Sequence, residues 1–254
     1  MALGSSYAAG PGIDPVVDLP CVRSGKNYAH LVAAARNLEL TDVSCSGATT
    51  SALSTGTAGM SQIEAVHEDT RLVTITVGGN DLDYIGAMGR ASHINTLRTL
   101  LAGSAGSSSV SETIDGRMPE PSQAAYAQVR DALVDTVEAV HRVAPNAVVA
   151  MVGYLPVLDS GVLAVDPKPL CPDVPLTVDQ ARTLRHVFEG LRFATADAAR
   201  LSGALLIPIP DAAEHAACGI RPWVNGFRSG GLLGGYHPTE LGMRAVADAI
   251  LEYI

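Results

Sequence analysis

Short, nearly continuous apolar runs alternate along this chain with longer stretches in which apolar residues return every three or four positions. A strand covered on both faces reads as a continuous run, whereas a helix lying on a surface carries an apolar stripe with helical spacing. On that basis Ala2-Leu3, Glu39 to Val43, Leu72 to Val77, Ala147 to Val152 and Ala204 to Ile209 are predicted strands. Predicted helices cover Asn27 to Leu38, about Asp81 to Leu101, Ser122 to Val143, Thr177 to Ser202 and Pro238 to Tyr253. In the fourth helix the stripe is Leu184, Val187, Phe188, Leu191, Ala198 and Leu201. Thr177-Val178-Asp179-Gln180 reads as its capping box, and Gly203 is placed to stop it. Strands alternating with helices are the pattern of an α/β protein, a parallel sheet with crossover helices. One alternating series spans residues 1–254 and predicts a single domain. The Gly/Ser stretch Gly103 to Ser111 and the Pro-rich Pro156 to Pro175 are therefore surface loops rather than linkers.

Composition narrows the partners more than the fold. At 254 residues and 47% apolar the chain can bury a full core, and 25 Gly with 15 Pro predict many tight connections. The net charge of −9, with no Lys/Arg cluster, argues against nucleic acid or an anionic membrane as the main partner. No apolar run approaches the roughly 18 residues of a membrane span, so no transmembrane segment is predicted. No charged segment followed by an apolar one opens the chain. A first strand this short leads to the expectation that a further segment, including a signal peptide, precedes Met1.

The four cysteines, Cys21, Cys45, Cys171 and Cys218, contain no CxxC and do not have zinc-knuckle spacing. Read as two disulfides, Cys21–Cys45 and Cys171–Cys218, they imply an oxidising compartment, and hence a secreted or cell-envelope protein. The alternative is four buried thiols in a reducing one.

Four fragments carry candidate chemistry: Gly4-Ser5-Ser6-Tyr7 after the first strand, Ser46-Gly47-Ala48-Thr49 after the second, Gly78-Gly79-Asn80-Asp81 after the third, and Gly235-Tyr236-His237-Pro238 before the last helix. Loops beyond the carboxyl ends of parallel strands share one edge of the sheet, where ligands bind. A serine hydroxyl becomes a nucleophile when an imidazole takes its proton, and the resulting oxyanion needs donors aimed at it. The fragments supply one of each part. Taken singly, Ser6 reads as a turn or N-cap serine, Gly47 as a turn glycine, Asn80-Asp81 as a helix cap and His237 as a residue at a helix start.

In these four blocks, and in their order, the chain resembles the SGNH hydrolases, also called GDSL esterases and lipases, and is most similar to their secreted actinobacterial members. The resemblance implies a flavodoxin-like three-layer α/β/α sandwich with a central, mostly five-stranded parallel sheet. It further implies Ser6 as nucleophile, His237 as base, and an oxyanion hole built from the Ser6 N–H, the Gly47 N–H and the Asn80 side chain. The cysteine placements are similar to the first and last disulfides of secreted relatives. Two positions depart from the family pattern. Ser5 stands where the family has Asp, keeping a hydrogen-bonding group but not its charge. Gly234 stands where the family has the acid of its triad, three residues before the histidine. A Ser6–His237 dyad is therefore expected, with the Gly234 carbonyl orienting the imidazole.

The implied activity is hydrolysis of carboxylic esters through an acyl-enzyme, by a monomer needing neither metal nor organic cofactor. Glycan O-acetyl groups or phospholipid acyl chains are alternative substrates, and a non-catalytic lipid- or glycan-binding envelope protein is the alternative from another class. Trp223, the single tryptophan, lies in a loop expected to border the cleft, as a substrate-binding or a packing residue. The remaining histidines, His30, His67, His93, His141, His186 and His215, are assigned no role.

Overall fold

The computed structural model describes residues 1–56, 61–103, 118–159 and 170–254. Most of the two expected surface loops, 104–111 and 160–169, lies outside the described residues. Four parallel strands form the sheet: β1 (Ala2–Gly4), β4 (Leu72–Thr76), β5 (Val148–Val152) and β6 (Leu205–Ile207), in the spatial order β1-β4-β5-β6. The expected fifth strand is not a ladder strand. Glu39 to Val43 touches β1 through a single bridge, Ala2 to Asp42, with Ala2 N–H donating to Thr41 and Val43 N–H donating to Ala2. The reason is local: the Asp42 carboxylate takes the Ser44 N–H at 3.0 Å and its hydroxyl at 2.7 Å, a turn-like arrangement that competes with a regular ladder.

The predicted helices appear as α2 (Tyr28–Arg36), α4 (Tyr84–Gly103), α5 (Gln123–Val143), α6 (Val178–Ser202) and α8 (Glu240–Leu251). They flank the sheet, α2 packing on α8 and α5 on α6. Val129, Leu133, Val137 and Val140 of α5 are buried, as are Leu184, Val187, Leu191 and Ala198 of α6. Leu201, expected in that stripe, is 54% exposed. It lies roughly 100° around an ideal helix from Leu184, at the margin of the stripe. Thr177 and Gln180 form the full capping box, and Gly203 ends α6 in the left-handed region at φ 74°. Thr239 caps α8, which therefore starts two residues later than the pattern predicted.

Short elements that hydrophobic periodicity cannot announce complete the chain: α1 (Ser6–Ala9), an antiparallel pair β2 (Val16–Asp18) and β3 (Arg23–Ser24), α3 (Thr50–Thr55) and α7 (Gly231–Gly234). They cluster in sequence around the Ser6, Gly47 and His237 fragments. Both expected disulfides are present, Cys21–Cys45 and Cys171–Cys218, and no cysteine is free. No described helix is long and apolar enough to cross a membrane.

Candidate active site

Ser6 is held where β1 gives way to α1. Gly4 has φ 143°, and a Cβ there would lie 2.3 Å from the Thr76 carbonyl oxygen, so only glycine lets β1 approach β4 this closely. The buried Gln62 side chain brackets Gly4, accepting from its N–H at 2.8 Å and donating to its carbonyl at 3.0 Å. Ser5 N–H donates to Thr76 at 2.8 Å. With the strand end clamped in this way, Ser6 opens α1 in a fixed direction.

Across the site, His237 Nε2 lies 2.9 Å from Ser6 Oγ, 231 positions away in sequence. Its Nδ1 lies 2.8 Å from the Gly235 carbonyl. A carbonyl can only accept, so Nδ1 carries the proton and Nε2 presents its lone pair to the serine. This corrects the expected orienter by one residue. The Gly234 carbonyl is occupied instead by the His237 backbone N–H at 3.0 Å and the Asn225 amide at 3.2 Å. The turn through α7 aims the Gly234 carbonyl at backbone and the Gly235 carbonyl at the ring. No carboxylate of the described residues bonds to the imidazole. Burial pushes the His237 pKa down to about 4, against a smaller upward effect of the Gly235 carbonyl.

The histidine loop is pinned from several sides. Asn225 N–H donates to His237 at 2.9 Å, Thr239 N–H donates to Trp223 at 2.8 Å, and Val224 bridges Pro238. Tyr236 adopts φ 58°, uncommon for a bulky residue, and is buried. Its carbonyl accepts from the Tyr7 hydroxyl at 2.8 Å, and its own hydroxyl pairs with Ser92 at 2.6 Å. Trp223 thus supports the loop through its backbone, while its indole stacks on His215 with ring centroids 4.2 Å apart.

Gly47 sits at φ 86° in a turn closed by Ala48 N–H donating to Cys45 at 3.1 Å. A Cβ there would meet nothing within 4 Å, so the residue faces open space and glycine is required by conformation alone. The Cys21–Cys45 disulfide and the Ser46 N–H to Cys21 bond at 3.1 Å anchor the turn. The Gly47 and Ser6 N–H groups have no acceptor among the described residues. Asn80 donates one amide hydrogen to the Ala48 carbonyl at 2.8 Å, and the other has no acceptor among the described residues. Asp81 accepts the Thr50 N–H and its hydroxyl, the latter at 2.6 Å, and so joins the loop after β4 to the start of α3. Asn80 and the Gly47 turn therefore belong to one hydrogen-bonded assembly at the carboxyl edge of the sheet, tied to β1 where Cys45 N–H donates to the Gly4 carbonyl at 3.0 Å, two residues before Ser6. Among the described residues no group of three or more His, Cys, Asp or Glu side chains could hold a metal ion.

Sequence reasoning missed Tyr7, Tyr154, Asn225 and Gly235. Tyr7 and Gly235 lie inside the fragments already singled out, and Tyr154 follows β5 at the same sheet edge as the others. That placement is the signal that could have found these three, while Asn225 carries none.

Comparison with known proteins bears on the family and the fold. The model of the GDSL-like Lipase/Acylhydrolase family matches residues 2–245. Lipase 2 of Streptomyces coelicolor is 32% identical over 268 residues, covering 100% of this chain and 85% of that protein. Lipase 1 of the same organism is 25% identical over 252 residues, covering 95% and 81%. Among solved structures, the phospholipase A1 of Streptomyces albidoflavus superposes with a TM-score of 0.73 at 23% identity, covering 100% of this chain and 98% of the other. The extracellular lipase of Streptomyces rimosus superposes with a TM-score of 0.70 at 24% identity and the same coverage.

Proposed function

The chain belongs to the GDSL-like lipase/acylhydrolase family and is a hydrolase of that kind; from this premise we propose that it cleaves carboxylic esters through an acyl-enzyme on Ser6. The observation that carries the proposal is the 2.9 Å contact between Ser6 Oγ and His237 Nε2, with Nδ1 held by the Gly235 carbonyl. His237 Nε2 takes the Ser6 proton as Oγ attacks the ester carbonyl, and delivers it to the departing alcohol. Water, deprotonated by the same nitrogen, then releases the acid and regenerates Ser6. The Ser6 and Gly47 N–H groups and the second Asn80 amide hydrogen stabilise the oxyanion in both tetrahedral intermediates. The imidazolium formed in each step is steadied by a carbonyl dipole rather than a full negative charge, so the site works as a dyad.

Leu232 and Leu233, five and four residues before His237, are 98% and 52% exposed. Exposed leucines on α7, which leads into the histidine loop, favour a lipid-borne acyl ester over a glycan O-acetyl group. A role for the Trp223 indole in holding the acyl or alcohol group belongs to the same proposal. Two disulfides favour an oxidising, extracellular or envelope location. The departures at Ser5 and Gly234 favour the non-catalytic binding protein considered from the sequence, but the Ser6–His237 contact and the Gly235 carbonyl on the imidazole favour the hydrolase.

Ser6→Ala should abolish turnover of a p-nitrophenyl ester while leaving the unfolding transition in place, and a fluorophosphonate should label Ser6 alone. Full activity in the alanine variant, or labelling elsewhere, refutes the proposal. Rates compared across acyl lengths, with phospholipid and acetylated sugars alongside, decide the substrate class.

A further inference from the structure

Tyr154 lies just beyond β5, buried, with its hydroxyl between two loops that the mechanism uses. The Gly79 N–H donates to this hydroxyl at 3.1 Å, and Ser5 Oγ lies 2.8 Å from it. Because the phenol oxygen accepts from an N–H, its own hydrogen is free to go to Ser5 Oγ. The Ser5 hydroxyl hydrogen points in turn at the Thr76 carbonyl, 3.4 Å away. The result is a chain with one direction: Gly79 N–H to Tyr154, Tyr154 O–H to Ser5, Ser5 O–H to the end of β4. Each hydroxyl accepts once and donates once, so neither is left unsatisfied, as buried polar groups require.

The ends of this chain are the residues next to the proposed machinery. Ser5 precedes Ser6, and Gly79 precedes Asn80. A Cβ on Gly79 would lie 2.7 Å from the Tyr154 ring, so ring and loop backbone are in contact as well as hydrogen-bonded. The Tyr154 ring also packs on Tyr7 with centroids 4.2 Å apart, and Tyr7 donates to the carbonyl of Tyr236, the residue before His237.

We propose that Tyr154 is a positioning residue for ester hydrolysis, its hydroxyl setting Asn80 relative to Ser6 through Gly79 and Ser5. The inference rests on the serine-hydrolase reading above. Ser5 has the Thr76 carbonyl within reach of its hydroxyl hydrogen, whereas the Gly79 N–H has the phenol as its acceptor. Burial also raises the Tyr154 pKa to about 12, so the hydroxyl keeps its hydrogen and the chain its direction at any working pH.

The test is Tyr154→Phe, which keeps the ring against Tyr7 and Gly79 and deletes only the oxygen. On a p-nitrophenyl ester kcat should fall about 10- to 100-fold with KM within about twofold, because a displaced Asn80 weakens transition-state stabilisation more than substrate binding. Coupling is the decisive readout. Asn80→Ala should cost at least fivefold less in kcat when introduced into Tyr154→Phe than into the unaltered protein, since the donor is already misplaced. Ser5→Ala should lower kcat in the same direction and serves if Tyr154→Phe does not fold. An unchanged kcat in Tyr154→Phe, or losses from Tyr154→Phe and Asn80→Ala that simply multiply, overturns the inference. If Ser6→Ala retains turnover, the hydrolase reading itself fails; if Ser6→Ala is inactive and Tyr154→Phe is not impaired, only the positioning role does.

Discussion

Lowering the pH separates a Ser6–His237 dyad oriented by a carbonyl from a triad completed by a carboxylate. A carboxylate next to the imidazole would favour its charged form and raise its pKa, whereas here burial lowers it to about 4. The base must be neutral to act, so activity is lost as pH falls through the folded-state pKa. At pH 5.5 an imidazole of ordinary pKa is only about 10% neutral, while one at about 4 is about 97% neutral. The plot of kcat/KM against pH, which reports the free enzyme, should therefore stay near its plateau at pH 5.5 instead of falling roughly tenfold. Stability moves in the same direction. Between about pH 6.5 and 4 the unfolded chain binds a proton that the folded chain refuses, so stability falls with pH across that window. The loss reaches about 2 kcal/mol at pH 5, an upper limit because His237 retains partial contact with solvent. Urea unfolding at pH 5 and 7.5 measures it, and His237→Gln should reduce the pH dependence by about that amount. Glu240, which pairs with Lys26 at 3.4 Å, should tolerate Glu240→Gln with the rate profile unchanged. An acid limb at pH 6 or above, or one shifted by Glu240→Gln, would refute the reasoning.

Two further expectations follow from the donor and the cross-links. Asn80→Ala removes both the second amide hydrogen and the tie to Ala48, so kcat should fall about 100- to 1000-fold with a smaller change in KM; an unchanged kcat takes Asn80 out of the site. The disulfides close separations of 24 and 47 residues, worth about 3.5 and 4 kcal/mol by chain entropy. Cys21→Ala with Cys45→Ala should lower both the melting temperature and kcat, because that bridge anchors the Gly47 turn, while Cys171→Ala with Cys218→Ala should lower the melting temperature alone. Equal effects on kcat from the two pairs would show that the anchor is irrelevant to the site.

The strand-and-helix series, the caps at Thr177 and Gly203, both cysteine pairs and the loop fragments that hold Ser6, Gly47, Asn80 and His237 were legible along the chain, while the roles expected of those four residues rest on the family resemblance. Each rests on local chemistry: a hydrophobic period, a side chain that bonds its own backbone, or a residue type suited to one role at a loop beyond a strand. The two departures, Ser5 and Gly234, could also be seen as missing charges, but not what stands in for them. Which carbonyl faces His237 depends on how α7 turns, and the turn selects Gly235 because Gly234 is taken by the His237 N–H and Asn225. That the Gly79 N–H meets a phenol from position 154 depends on β4 and β5 lying side by side in the sheet. The edge segment fails to become a fifth strand because Asp42 bonds Ser44 more readily than a ladder. Periodicity and capping involve neighbours within a few residues and are written into the chain, whereas the orientation of the Ser5 and Tyr154 hydroxyls is settled by groups that meet across 71 to 149 positions only after the sheet has assembled.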